Sequence, residues 1–263
     1  MAETIDVEAA HGAVSLEVTD AVARIRVTNP PLNILTIAVR RALFGAARAL
    51  ESRDDIRVVV VEADGGRAFS VGSDIREFPE DELGGVAKIR FEQYLLDSIA
   101  RLPQVVIAKV RGLALGGGAE LMLACDIRVA AHGAQFGFPE IRLGALPAAG
   151  GIKRLVQEIG PVRARELIFS GRPISGTRAF DIGLITELVD EAELDARVEA
   201  LAADLASLPR SALRLAKKCI AAGTPTTGID TMEAEAFGAL YRSADLSEGL
   251  AAFVEKRTPR FNR

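Results

Sequence analysis

The apolar and polar positions of this chain change period several times, and each change marks an element. Val14 to Val18 and Val22 to Val27 alternate or run apolar around the turn residues Thr19 and Asp20, which predicts a strand hairpin. Asn29-Pro30-Pro31 breaks that pattern. Thr36 then caps a predicted helix reaching about Leu50, because Val39, Leu43, Ala46, Ala47 and Leu50 recur at spacings of three and four. The valine-rich run from Ile56 to Val61 has the texture of a strand covered on both faces, and a loop holding Ser73 follows it. The unit repeats as a helix from about Val86 to Arg101 and a strand from Val105 to Val110. Gly112 and the triplet Gly116 to Gly118 come next.

Strands alternating with helices as far as Asp190 place residues 1–190 in an α/β class, with sheets built from repeated strand, strand, helix turns. The pattern alone leaves the topology open. From Asp190 the texture changes. Asp190 and Glu193 have the spacing of a capping box, Leu194, Val198, Leu201, Leu205 and Leu208 keep helical spacing, and Pro209 ends that helix. Further helical stretches are predicted from Ser211 to Ala222, Gly228 to Arg242 and Asp245 to Lys256. Residues 191–263 are thus expected to form a helical region.

With 263 residues, 49% of them hydrophobic, the chain is long enough to bury a substantial core. Its 32 basic and 36 acidic side chains leave a net charge of -4, which gives no electrostatic footprint for nucleic acid or an anionic membrane. Arg40 and Arg41 are read as a solvated helix face. No apolar run reaches the roughly 18 residues that span a bilayer, and MAETIDVEAAHG lacks a secretion signal's pattern. Cys125 and Cys219 are too few for a disulfide framework, so a soluble, cytoplasmic protein is expected. His11, His132 and the distant cysteines match no metal-site spacing, so no metal is expected and both histidines are read as structural.

Two carboxylates stand out. Glu120 closes ALGGGAE, from Ala114 to Glu120, and Glu140 closes QFGFPE, from Gln135 to Glu140. The glycines allow close backbone approach to a ligand, and the following LMLAC suggests that they lead into a helix N-terminus with its partial positive charge. The plain alternative is a flexible turn. Glu120 at such a helix start is either a dipole partner or a catalytic base. Glu140 follows Phe136, Phe138 and Pro139, an apolar setting that should raise its pKa toward neutrality. Together they read as an acid/base pair.

Three more motifs complete a set: AFSVGSDIREF from Ala68 to Phe78, GALPAAGG from Gly144 to Gly151, and AFVEKRTPRF from Ala252 to Phe261. In this order and spacing they resemble the crotonase superfamily, the enoyl-CoA hydratase/isomerase family, over nearly the whole chain. The resemblance implies a ββα spiral of two nearly perpendicular sheets, with a C-terminal helical trimerisation region and assembly as a homotrimer or dimer of trimers. It implies an acyl-CoA thioester substrate, coenzyme A being part of the substrate and no separate cofactor being needed. The reaction it implies is reversible addition of water to a 2-enoyl-CoA. Glu120 would activate the water that adds at the β-carbon, and Glu140 would exchange the proton at the α-carbon.

By the same resemblance, the backbone N–H groups of Gly117 and Ser73 match the oxyanion-hole donors. Ser73 stands where the family usually has alanine, and because the donor is backbone this change is expected to matter little. Asp74, Ile75 and Arg76 are assigned to substrate binding, Arg76 replacing the basic residue that Asn29 to Asn33 lacks. Phe138 and Ala148 are expected to narrow the acyl pocket. Phe253 matches an apolar contact, and Lys256 a phosphate-side cation, on a neighbouring subunit's ligand. The alternatives are a 3-enoyl to 2-enoyl-CoA isomerase using Glu140 alone, or a non-catalytic acyl-CoA-binding protein; retention of Glu120 favours the hydratase. A nucleic-acid role would want a lysine-rich helix after Thr36, where Arg40, Arg41 and Arg48 stand without a lysine.

Overall fold

Strand β2 (Val14–Thr19) pairs antiparallel with β3 (Val22–Val27) around Asp20, whose left-handed φ of 53° closes the turn. Burial alternates along both strands and turns Leu16, Val18, Ala23 and Ile25 inward, as the sequence pattern required. The computed structural model describes residues 3–5, 13–222 and 244–261. Helix α1 (Ile37–Leu50) begins where expected, with the Thr36 hydroxyl accepting from the Val39 N–H at 3.2 Å.

Strand β4 (Val58–Ala63) starts two residues later than the apolar run, because Ile56 is buried as a turn residue whose N–H reaches Arg53 O. Strand β5 (Ala68–Ser70) and a 3-10 turn (Ile75–Glu77) lead to α2 (Glu82–Ala100). This helix starts four residues before its apolar pattern. Asp81 caps it by accepting from the Gly84 N–H, while its first turn carries Leu83, 82% exposed, and two glycines, so no apolar stripe marks it.

Then follow β6 (Val105–Val110), β7 (Leu113–Leu115), α3 (Gly117–Leu123), β8 (Ile127–Ala131) and β9 (Gln135–Gly137). A 3-10 turn (Pro139–Leu143) leads to α4 (Gly151–Ser170), which is kinked at Gly160 before Pro161. Strand β10 (Ile174–Ser175), α5 (Gly176–Asp181) and β11 (Glu187–Val189) finish the α/β part.

A seven-stranded sheet runs β1-β2-β3-β4-β6-β8-β11, where β1 is Glu3–Ile5, and a four-stranded sheet runs β10-β9-β7-β5. Each of β4/β5, β6/β7 and β8/β9 sends its first strand to the large sheet and its second to the small one, and α2, α3 and α4 follow in turn. This is the ββα spiral expected. Between β3 and β8 the large sheet is parallel. One of its faces packs on the main core. On the other, α6 (Leu194–Ser207) lays Leu194, Val198 and Ala202 over Val58, Val60, Ile107 and Val129. Two-sided cover explains the unbroken valine run of β4.

The capping box expected at Asp190 and Glu193 does not form. Glu193 makes no side-chain cap bond, and its N–H goes to the backbone carbonyl of Asp190, closing a turn one residue before α6. The chain continues into α7 (Arg210–Ala221) and α8 (Ala244–Glu255). The stretch expected from Gly228 to Arg242 lies outside the described residues, as does His11. No described helix is long and apolar enough to cross a membrane.

Candidate active site

In the small sheet β5 and β7 are parallel neighbours, so the loops leaving their carboxyl ends run side by side. The first is Val71-Gly72-Ser73 and the second Leu115-Gly116-Gly117. Only glycine lets them approach this closely. A Cβ on Gly72, whose φ is 88°, would lie 2.6 Å from Gly117 N, and one on Gly118 would lie 2.2 Å from Ser70 O. Gly117 opens α3, so its N–H has no carbonyl one turn earlier. The Ser73 N–H likewise has no partner among the described residues. Two donors therefore stand together at the mouth of α3, where the helix dipole adds positive potential.

Glu120 is the fourth residue of α3 and only 3% exposed. Its Oε1 accepts the Gly151 N–H, at the start of α4, across 2.9 Å. Burial, and next the charge of Glu140, push its pKa up to about 8. Glu140 follows β9, which is joined to the glycine loop by the Gly116 N–H donating to Gly137 O. A Cβ on Gly116 would lie 3.3 Å from Glu140 Oε1, so this carboxylate rests against the glycine loop. Burial raises its pKa too, as the apolar residues before it suggested, and its Oε2 is buried without a partner among the described residues. A buried, unpaired acceptor beside a cavity is a group placed for a ligand.

The cavity is about 880 Å³, and Ser73, Gly117, Glu120, Glu140, Ile75 and Ala148 lie on its wall. Those six assignments are brought together. The others are not. Phe138 is fully buried in the core and does not line the cavity, because it shares with Phe136 the inward face of one extended segment. Asp74 caps the 3-10 turn and holds the Arg76 guanidinium at 2.7 Å, which keeps its own pKa down at about 2. Arg76 itself points to solvent, its side chain 82% exposed, and its charge is already partnered. Lys256 is exposed beyond α8 and is not on this cavity; the Phe253 side chain lies outside the described residues.

Sequence reasoning missed a buried ionic group behind the site. Arg40, expected on a solvated face, is only 4% exposed; Arg41 is exposed as expected. Arg40 Nη2 donates to Ser73 Oγ at 2.6 Å, and its Nε lies 3.2 Å from Glu92 Oε1. Glu92, 6% exposed, also takes Lys88 Nζ at 2.5 Å. The signal was present: Arg40 stands three residues before Leu43 and seven before Ala47, inside the apolar stripe of α1. Arg154 is a second such residue, donating to Ala149 O at 3.2 Å and pairing with Asp97 at 2.6 Å, which ties the loop before α4 to α2.

The sequence model of the family described as Enoyl-CoA hydratase/isomerase matches residues 17–263. The chain belongs to the enoyl-CoA hydratase/isomerase family. A probable enoyl-CoA hydratase of Bacillus subtilis is 37% identical over 95% of this chain and 98% of its own. A crotonyl-CoA hydratase of Syntrophomonas wolfei is 32% identical over 96% and 98%. The crystal structure of an enoyl-CoA hydratase from Bacillus anthracis superposes with a TM-score of 0.90 at 35% identity, covering 95% of this chain and 98% of that one. These likenesses place the chain in the crotonase superfamily and confirm the expected fold. They also carry the activity at family level: the chain is an enoyl-CoA hydratase, a hydro-lyase with an acyl-CoA substrate.

Proposed function

We propose that the chain reversibly hydrates a short or medium 2-enoyl-CoA, with Glu120 and Glu140 as its acid/base pair and the N–H groups of Ser73 and Gly117 as its oxyanion donors. The observation that carries this is the meeting of both carboxylates and both donors on one cavity wall. Glu120 takes a proton from water as the oxygen adds to the β-carbon. Electron density shifts to the thioester oxygen, where the two N–H groups hold the developing charge. Glu140, protonated at the start, delivers its proton to the α-carbon. The proton gained by Glu120 leaves to solvent and Glu140 takes one up before the next turnover, and the reverse reaction retraces these steps. Burial suits both carboxyls to the task, since desolvation raises their basicity toward the working pH.

The deciding experiment is hydration of crotonyl-CoA, read by loss of the conjugated-enoyl absorbance, in the wild type and in Glu120→Gln. Loss of turnover with thioester binding retained supports the reading, and full activity in a folded variant sinks it. A 3-enoyl-CoA substrate separates the isomerase, which would tolerate loss of Glu120. On this reading the enzyme works without a metal or separate cofactor, in the cytoplasm, as a trimer or dimer of trimers. Support for assembly comes from α7, none of whose residues is fully buried and which leaves Ile220 exposed.

A further inference from the structure

The loop that carries Ser73 is held from several sides. Val71 N–H donates to Leu32 O at 3.1 Å, Leu35 N–H donates to Gly72 O at 2.8 Å, and Gly72 N–H donates to Ser70 Oγ at 3.0 Å. These bonds fix the loop up to Gly72. Ser73 itself pairs with Leu35 in an isolated parallel bridge, and its side chain is held as well, through the 2.6 Å bond from Arg40.

A guanidinium has only donors, so the serine oxygen is the acceptor, and the bond is charge-assisted. Arg40 is itself fixed. It rises from α1, is almost wholly buried, and is held at Nε by Glu92 of α2, which Lys88 also grips. The two helices are further locked by Phe44 against Phe91, with ring centroids 6.2 Å apart, and against Tyr94 at 5.4 Å. An alanine at position 73 would give Arg40 no oxygen there to bind, leaving it only Glu92.

We propose that Arg40 is a positioning residue for the oxyanion site, acting through the Ser73 hydroxyl to hold the Ser73 N–H in line with that of Gly117. This rests on the reading of Ser73 as an oxyanion donor, and it revises the expectation that serine in place of alanine changes little. An oxyanion donor works only within a few tenths of an ångström of its required place. The clamp thus acts on the rate of turnover rather than on substrate affinity.

The test compares kcat and KM for crotonyl-CoA in the full-length wild type, Ser73→Ala, Arg40→Met, the double variant and Glu120→Gln. Each single clamp variant should lose about ten-fold in kcat, the worth of one hydrogen bond to a charged group, with KM held within about two-fold. The double variant should be no slower than the slower single one, because both remove the same bond. Ser73→Ala leaves the Arg40–Glu92 pair intact, so it carries the test even if Arg40→Met, which strips a buried carboxylate of a partner, fails to fold. Wild-type kcat in Ser73→Ala, or losses that multiply in the double variant, would overturn the proposal. If Glu120→Gln is inactive while Ser73→Ala is unimpaired, the clamp falls and the reaction stands. A wild type that does not hydrate crotonyl-CoA removes both.

Discussion

Gly151 donates its backbone N–H to Glu120 Oε1 across 2.9 Å, so the first residue of α4 holds the carboxylate of α3 in place. A Cβ on Gly151 would lie 2.6 Å from that oxygen and 3.0 Å from Pro147 Cβ. Its φ is outside the left-handed region, so alanine there meets a steric demand at the site without backbone strain. Gly151→Ala should therefore cost about 100-fold in kcat by displacing Glu120, with only a small change in Tm. Steady-state rates and thermal unfolding of the purified variant decide this, and a rate near wild type rejects it.

The pKa of Glu120 has a consequence for stability. In the unfolded chain this carboxyl ionises near 4.5, while in the fold it keeps its proton to about 8. Between those values the unfolded state has released a proton that the folded state retains. The contribution is fully present below about 4.5 and is lost as pH rises through about 8. Glu120→Gln should remove on the order of 1 kcal/mol per pH unit of that decline, leaving the smaller share due to Glu140. Urea unfolding of both proteins from pH 5 to pH 8 measures it. Parallel profiles would contradict the assignment.

Selectivity for the acyl group should follow Ala148 and not Phe138. Ala148 faces the cavity, and its carbonyl is anchored by Gln93 Nε2 at 2.8 Å, so Ala148→Gly removes one methyl from a wall whose backbone is held. The ratio of kcat/KM for long against short enoyl chains should rise by the equivalent of roughly 1 to 3 kcal/mol. Phe138→Leu should instead lower stability by about 1 kcal/mol, as for a core side chain, and leave that ratio unchanged. An altered ratio in Phe138→Leu with none in Ala148→Gly would reverse the assignment.

How much of this was legible depended on whether a residue's role is local. The hairpin at Asp20, the Thr36 cap and the β6 strand were readable because turn chemistry, capping and period act within a few residues. That Glu120 and Glu140 lie at one place was legible because their motifs fix the backbone around them, and both line the same cavity. Arg40 was misread because its partners, Ser73 and Glu92, are brought to it by the spiral, and without them a buried arginine looks like a surface one. Phe138 was misread for the converse reason. The pattern shows that it is buried, and only the fold shows that it is buried beneath the core-facing side of β9 and away from the cavity.

Assembly should be measurable and coupled to binding. Ile152, Val156 and Phe169 of α4, and Ile220 of α7, are exposed apolar residues that the proposed assembly has available to cover. Light scattering should give three or six times the 27.9 kDa of one chain. Lys256, exposed beyond α8 and away from its own cavity, is then free to meet the coenzyme A phosphates bound by a neighbour. Lys256→Ala should weaken thioester binding by about three- to ten-fold in the assembled enzyme, the loss of one charge-assisted contact, while kcat holds. Because the assembled state would bind the ligand more tightly than a lone chain, dilution below the assembly constant should weaken binding, and added thioester should draw chains back together. A stable monomer that binds coenzyme A thioesters with full affinity would refute both the assembly and the role of Lys256.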